Sequence, residues 1–153
     1  MAVIGESGYR HGARERLEEA YTLLQEEQFS GSVYLAGRAV EGILRAVIWR
    51  GDTDYALGRK ILETGHDLRD MLKLIQDLGM LRDSNLADAI RTDVQKVARL
   101  WSNNMRFWPT SMVNREWFAL GTISRKRTMK LAAREYFLAC SAILKRCEAL
   151  WQS

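Results

Sequence analysis

The sequence predicts an all-α protein in which a single domain forms a five-helix up-and-down bundle. The chain of 153 residues contains one proline, Pro109, where average composition would give about seven or eight. Apolar side chains recur at helical spacing in five segments, and no segment shows the sustained alternation of a strand. A chain of this length suits one domain with a sizeable core. Uninterrupted helices are therefore expected along most of the chain.

The first helix is predicted over residues 11–28, after an N-terminal stretch, residues 1–9, that we expect to be flexible. Its apolar positions follow steps of three and four residues, with glutamates elsewhere around the helix. They are Ala13, Leu17, Ala20 and Leu24. A second helix is predicted to begin after a capping Ser30 and to end at Gly51. Its apolar face is formed by Val33, Gly37, Val40, Leu44 and Val47.

A third helix is predicted to begin near Thr64, with Thr64 as its cap and Asp67 three residues later, and to end at Gly79. Its stripe comprises Leu68, Met71, Leu72, Ile75 and Leu78. A fourth helix is predicted over residues 83–105. Its stripe comprises Leu86, Ile90, Val94, Val97, Trp101 and Met105.

The fifth helix, predicted over residues 126–151, carries two apolar stripes. One comprises Ala133, Phe137, Cys140, Leu144, Cys147 and Trp151, and the other Leu131, Leu138 and Ala142. Such breadth indicates either a central helix or one that also faces a second subunit. The connection before it, residues 109–125, is longer than a usual helix–helix loop, so it is either functional or itself partly helical.

Composition excludes several classes of protein. No apolar run reaches the 18 or more residues that a membrane span needs, and residues 1–8 are too short and weakly charged for a secretory signal. A cytoplasmic protein without membrane contact is expected. Cys140 and Cys147 would lie two helical turns apart, too far for a disulfide, and are expected to be buried thiols. With His11 and His66 distant from both, neither a metal site nor a cofactor is predicted.

The positive charge is concentrated in one segment, which we call the basic segment, residues 99–130. It carries 7 basic and 1 acidic side chains, whereas residues 1–98 carry 13 basic and 16 acidic ones. This asymmetry favours an anionic partner, either a nucleic acid or a nucleotide.

Aromatic rings alternate with arginines along residues 99–118. They are Arg99, Trp101, Arg106, Phe107, Trp108, Arg115, Trp117 and Phe118. Guanidinium groups bind phosphates and rings stack on bases, a combination used in single-stranded RNA binding. The same rings also suit core or dimer packing, and Trp101 falls on the predicted buried stripe.

Two further side chains are candidates for a site. Glu41 falls on or beside the apolar stripe of the second helix, where a carboxylate needs a partner such as Arg38, Arg45, Arg106 or His66. It is either a structural ion-pair member or part of a ligand site. His66, at a helix start, is either a structural histidine or a proton carrier. No glycine-rich phosphate loop, nucleophile elbow or paired metalloprotease histidines are present.

Three stretches in order resemble motifs of the HEPN family of small helical domains. Residues 34–46, YLAGRAVEGILRA, are similar to the second-helix pattern with an alanine and a glutamate before an aliphatic and a basic residue. His66-Asp67-Leu68, followed by Leu72, resembles the His-Asp-Leu that starts the third helix. Arg106-Phe107-Trp108-Pro109 resembles the Arg-Tyr-Pro after the fourth helix in one branch of the family.

This resemblance implies a five-helix fold, a homodimer with a cleft between subunits, and RNA or a nucleotide as ligand. Family members serve in toxin–antitoxin and phage-defence systems, some as partners of minimal nucleotidyltransferases. In the nucleases, an arginine is followed after four to six residues by a histidine near the end of the fourth helix. Here Arg99 is followed at that spacing by Asn104, whose amide cannot transfer a proton as histidine does. Arg59 and His66 have the spacing but precede the third helix, which indicates a chance match.

The leading hypothesis is a dimeric domain that binds RNA or a nucleotide in a cleft lined by Arg99, Asn104, Arg106 and Trp108, with Arg115 as a further contact. Glu41 and His66 would support Arg106. If such a protein cleaves RNA, it does so without metal: Arg99 and Arg106 stabilise the phosphorane charge and His66 moves the proton. The alternative is a non-enzymatic interaction module, either the cognate partner of a nucleotidyltransferase or a regulatory subunit. The candidate partner proteins are an antitoxin and a nucleotidyltransferase.

Overall fold

A computed structural model describes residues 4–52 and 67–152. All regular structure within these ranges is helical, so the predicted all-α class is confirmed. The described helices are α1 (Glu6–Gln25), α2 (Phe29–Gly51), α3 (Leu68–Asp77), α4 (Ser84–Leu100), the 3₁₀ helix η1 (Asn103–Phe107), α5 (Thr110–Ala119), α6 (Met129–Glu148) and the 3₁₀ helix η2 (Ala149–Trp151).

The second helix, α2, occupies the centre of the bundle. It contacts α1, α3, η1, α5 and α6, and 13 of its 23 residues are buried. Small residues allow α1 to approach it closely: a Cβ added at Gly42 would lie 3.3 Å from the Cβ of Ala13, and the buried Ser32 hydroxyl donates a hydrogen bond of 2.7 Å to the Ala20 carbonyl. The suggestion that the last helix is central is therefore wrong.

Helix α1 begins at Glu6 rather than at residue 11, so the stretch predicted as a flexible N-terminus includes its first turn. The Glu6 carboxylate accepts a hydrogen bond from the Trp151 indole and lies 3.8 Å from an Arg50 guanidinium nitrogen. These partners are far away in sequence. Local periodicity could not reveal them, which is why the prediction started the helix too late.

Two helices begin differently from the predicted caps. Ser30 lies inside α2, and its hydroxyl donates a 2.6 Å hydrogen bond to the Trp108 carbonyl instead of capping the helix. Asp67 itself caps α3, because its side chain accepts hydrogen bonds from the backbone of Arg69 and Asp70. Thr64, the predicted cap, lies outside the described residues. Gly79 follows the end of α3 with a φ of +68°, as its predicted role requires.

The fourth predicted helix divides at Trp101. Helix α4 ends at Leu100, Trp101 turns to an extended backbone, and η1 begins at Asn103. The connection after Pro109 contains α5, so its predicted partial helicity is confirmed. This gives six α-helices in the described ranges, whereas the sequence pattern indicated five in the whole chain.

Helix α6 packs against α2 and α4. It buries four residues of its first predicted stripe, Ala133, Cys140, Leu144 and Cys147. Phe137 is only partly buried, as is Trp151, which lies in η2. The second stripe faces outward. Leu131 is 42% exposed and Leu138 is 55% exposed. Within residues 4–52 and 67–152, no helix combines the length and hydropathy that a membrane crossing requires.

Candidate functional site

Most residues of the predicted site lie near the junction between α4 and η1. The position of this junction depends on Trp101, which packs against α2. Trp101 is 6% exposed, and its indole nitrogen donates a hydrogen bond of 3.2 Å to the Tyr34 carbonyl. Its ring lies so close to Gly37 that any side chain there would overlap it. Trp101 therefore fixes the start of η1 relative to the core, and with it the beginning of the basic segment.

The aromatic rings of residues 99–118 divide into two groups. Trp117 is fully buried and donates a hydrogen bond of 3.3 Å to the Leu100 carbonyl, so it belongs to the core together with Trp101. Phe107 and Phe118 are 73% and 59% exposed. Trp108 is half-buried against the core. Core packing is therefore confirmed for Trp101 and Trp117, whereas nucleic-acid contact by the exposed rings stays a prediction.

Arg106 and Phe107 form an exposed pair in η1. The Arg106 guanidinium carbon lies 4.6 Å from the centroid of the Phe107 ring, a cation–π distance. Asn104 is also exposed, and its backbone NH donates to the Ser102 hydroxyl that caps η1. The guanidinium thus lies over one face of the ring at the protein surface. Guanidinium planes and aromatic rings are both groups on which an unpaired nucleobase stacks.

The remaining cations of the basic segment lie mostly at the surface. Arg115 is exposed on α5, 3.6 Å from a carboxylate oxygen of Glu116. Arg125 and Lys126 are exposed in the connection between α5 and α6 and form no ion pair with another described residue. Lys130 lies 3.2 Å from Glu27. Three of the seven cations, Arg115, Arg127 and Lys130, therefore pair with glutamates, and the other four form no ion pair with a described carboxylate.

Arg99 points toward a different neighbour from Arg106. Its guanidinium donates a short hydrogen bond of 2.6 Å to the Leu120 carbonyl, which ties the end of α4 to the end of α5. Arg99 lines a groove between α4 and α6, and Asn104, Arg106, Trp108 and Arg115 do not. The predicted residues are thus distributed from the end of α4 through η1 to α5, and the cleft between two subunits stays a prediction.

Glu41 is 3% exposed, and its carboxylate is held by two arginines of its own helix. Arg38 donates at 2.9 Å and Arg45, itself buried, at 3.2 Å. The contacts with α2 arginines support the interpretation as a structural ion pair, and Arg106 instead contacts Phe107. His66, the proposed second supporter of Arg106, lies outside the described residues, as does Arg59.

The groove between α4 and α6 was not predicted as a site. It encloses about 560 Å³. Its lining combines cations, carboxylates and apolar side chains: Asp93, Lys96, Val97, Arg99, Leu100, Thr122, Arg127, Ala132, Glu135, Tyr136, Leu138, Ala139, Ala142 and Arg146. The sequence signal was present in the second stripe of α6, where Leu138 and Ala142 had no assigned partner. Only the packing of α6 on α4 shows that this stripe borders a concave surface.

The two cysteines are free, buried thiols, as predicted. Burial raises the pKa of Cys140 far above its ordinary value and that of Cys147 to about 12. Burial likewise raises the pKa of the Tyr136 hydroxyl, which lies beside the Cys140 thiol. These groups stay protonated near neutral pH and are poor nucleophiles. Among the described residues, no group of three or more histidine, cysteine or acidic side chains could hold a metal ion.

Comparison of the chain with protein-family models, with curated proteins and with solved structures found no match.

Proposed function

We propose that this chain is a HEPN-type domain that acts as a homodimer and binds single-stranded RNA through the basic segment. The observation that carries the proposal is the surface of residues 99–130. Six of its seven cations are exposed, four of the seven pair with no carboxylate in the described ranges, and Phe107 and Phe118 expose their rings. Cations that follow a phosphate backbone, together with rings on which bases stack, form the usual single-strand binding surface.

The geometry favours a single strand over a duplex. The exposed Arg106 and Phe107 pair presents stacking faces that an unpaired base can reach, whereas the bases of a duplex are already stacked on each other. Trp101, which is held on α2 by its hydrogen bond to the Tyr34 carbonyl, positions the start of η1, the helix that carries these residues. The role of α2 in this proposal is to position the surface.

Binding is tested by fluorescence anisotropy with a labelled single-stranded RNA of about 12 nucleotides, a length within the usual site size. Affinity is expected to fall steeply as salt rises, because each phosphate contact releases counterions. The double variant Arg106→Ala, Arg115→Ala is expected to reduce the slope of log affinity against log salt by about 1.4, since each phosphate contributes about 0.7.

The matched control is the double variant Lys73→Ala, Arg82→Ala, which removes two exposed cations from α3 and the loop after it. It lowers the net charge equally and is expected to leave the salt slope unchanged. Phe107→Ala is expected to weaken binding by about 1–3 kcal/mol through lost stacking. Absence of binding at low salt would refute the proposal, as would an equal loss in the control variant.

We propose that the chain binds RNA without cleaving it. Asn104 stands where the nucleases of the family have a histidine, and its amide cannot transfer a proton. Incubation of the protein with RNA and a metal chelator tests this directly. Cleavage that disappears in Arg99→Ala, Arg106→Ala or in His66→Ala would instead establish a metal-independent ribonuclease that uses those residues.

One observation favours the alternative of an interaction module. Leu131 and Leu138 expose apolar surface on one side of α6, and such surface is frequently covered in a complex. Sedimentation of the pure chain, combined with the RNA assay, distinguishes self-association from docking on a partner protein. A dimer that Leu131→Glu disrupts would assign this face to self-association. A monomeric chain that does not bind RNA would favour a partner protein.

A further inference from the structure

We propose that the groove between α4 and α6 binds a small organic anion, whose ionised group is held by Lys96 and Arg99 and whose apolar body lies on the α6 side of the groove. This inference goes beyond RNA binding and does not depend on it. It rests on the shape of the groove and on its charges.

The shape suits a small molecule. The groove volume of about 560 Å³ falls in the range of roughly 300–1,000 Å³ that is typical of ligand sites. Its α6 side is mainly apolar and includes Ala132, Leu138, Ala139 and Ala142. Leu138 is 55% exposed, so an apolar body placed there would remove hydrophobic surface from water.

The charges of the groove do not cancel. Its two carboxylates are each paired with an arginine, Asp93 with Arg146 and Glu135 with Arg127. The remaining cations, Lys96 and Arg99, form no ion pair within residues 4–52 and 67–152. They leave a net charge of two positive units.

Lys96 and Arg99 lie three residues apart on α4, close enough to act on one ligand. The hydrogen bond from Arg99 to the Leu120 carbonyl occupies one of its five N–H donors and fixes its guanidinium at the edge of the groove. The other donors stay available. An anionic group between these side chains would relieve the repulsion of two neighbouring like charges.

Isothermal titration calorimetry at low salt tests the proposal with octanoate and with adenosine 5′-monophosphate, each of which joins an anionic group to an apolar or planar body. At least one of them is expected to bind with a Kd below about 1 mM. Inorganic phosphate carries the charge without the body, and adenosine carries the body without the charge. Both are expected to bind at least about tenfold more weakly than the better ligand.

The double variant Lys96→Ala, Arg99→Ala is expected to weaken the binding of that ligand by at least about tenfold. Lys73→Ala, Arg82→Ala removes the same charge outside the groove and should leave its affinity unchanged. Leu138→Glu provides a second variant at an exposed position. It places a carboxylate beside the apolar body of the ligand and should likewise weaken binding by at least about tenfold. Circular dichroism verifies that each variant stays helical.

Absence of binding by both octanoate and adenosine 5′-monophosphate would overturn the proposal. Binding that survives both Lys96→Ala, Arg99→Ala and Leu138→Glu would place the ligand elsewhere and overturn it equally. The RNA assay relies on Arg106 and Arg115, which do not line the groove. Failure of RNA binding therefore leaves this inference standing, and failure of anion binding leaves the RNA proposal standing.

Discussion

Replacing Gly37 with alanine tests whether Trp101 anchors the predicted RNA surface to the core. A Cβ at position 37 would lie 2.1 Å from Cδ1 and 2.2 Å from Nε1 of Trp101. Ordinary contact between carbon atoms is about 3.5 Å, so the ring must move by more than about 1 Å. The ring is buried and its Nε1 is held by the Tyr34 carbonyl, which makes such a movement unfavourable.

The expected loss of stability follows from three contributions. Overpacking of a buried site costs about 1–3 kcal/mol, and loss of the hydrogen bond to Tyr34 costs about 1 kcal/mol. Alanine in a helix interior is about 1 kcal/mol better than glycine and offsets part of this. Gly37→Ala is therefore expected to destabilise the protein by about 2 kcal/mol, measured by urea unfolding with tryptophan fluorescence as the signal.

Gly12→Ala is the matched control, because it makes the same substitution in the interior of α1, where the added Cβ meets no atom within 4 Å apart from its chain neighbours and the nearby backbone of its own helix. It is expected to stabilise the protein by up to about 1 kcal/mol. The two variants should thus shift the urea midpoint in opposite directions. Gly37→Ala should also weaken RNA binding, since displacement of Trp101 moves the start of η1. A Gly37→Ala protein as stable as the wild type would refute this account.

Three substitutions of glutamates yield further predictions. Glu27 follows the end of α1 with a φ of +59°, a backbone conformation that is strained for a residue with a side chain and not for glycine. Glu27→Gly is therefore expected to stabilise the protein by about 1 kcal/mol in thermal unfolding. No gain in stability would show that the ion pair between Glu27 and Lys130 outweighs the backbone strain. Glu41→Gln removes the carboxylate that faces the buried Arg45 and should cost about 3 kcal/mol, whereas a loss under about 1 kcal/mol in urea would indicate that the pair is dispensable. Burial opposes ionisation of Glu148, but hydrogen bonds from two α1 arginines outweigh it and lower its pKa from the ordinary value of 4.5. Because the folded state has the lower pKa, Glu148 stabilises the protein above pH 4.5 and loses this effect as the pH falls through the folded-state value. The stability difference between wild type and Glu148→Gln, about 1 kcal/mol at pH 7, should therefore disappear in acid, and a constant difference would exclude this mechanism.

Much of the candidate site could be predicted from sequence because its chemistry is local. The charge excess of residues 99–130 is visible by counting, and the helical spacing of Trp101 correctly assigned it to the core. The exposure of Phe107 could not be predicted, because the helix ends at Leu100 and the spacing that predicts burial no longer applies in η1. The α4–α6 groove was missed because its residues come from two helices and the connection between α5 and α6, and no local pattern records which faces meet.

The sequence by itself determined the helical class and most of the buried stripes, because helix formation and amphipathicity depend on residues three or four apart. It also identified the burial of Glu41 on α2 and the position of the basic segment. The tertiary structure decided which helix is central and which stripe of α6 remains exposed. It also decided that Asp93 and Glu135 pair with arginines, whereas Lys96 and Arg99 pair with no carboxylate in the described part of the chain. These features depend on contacts between residues distant in the chain, which helix packing alone brings together.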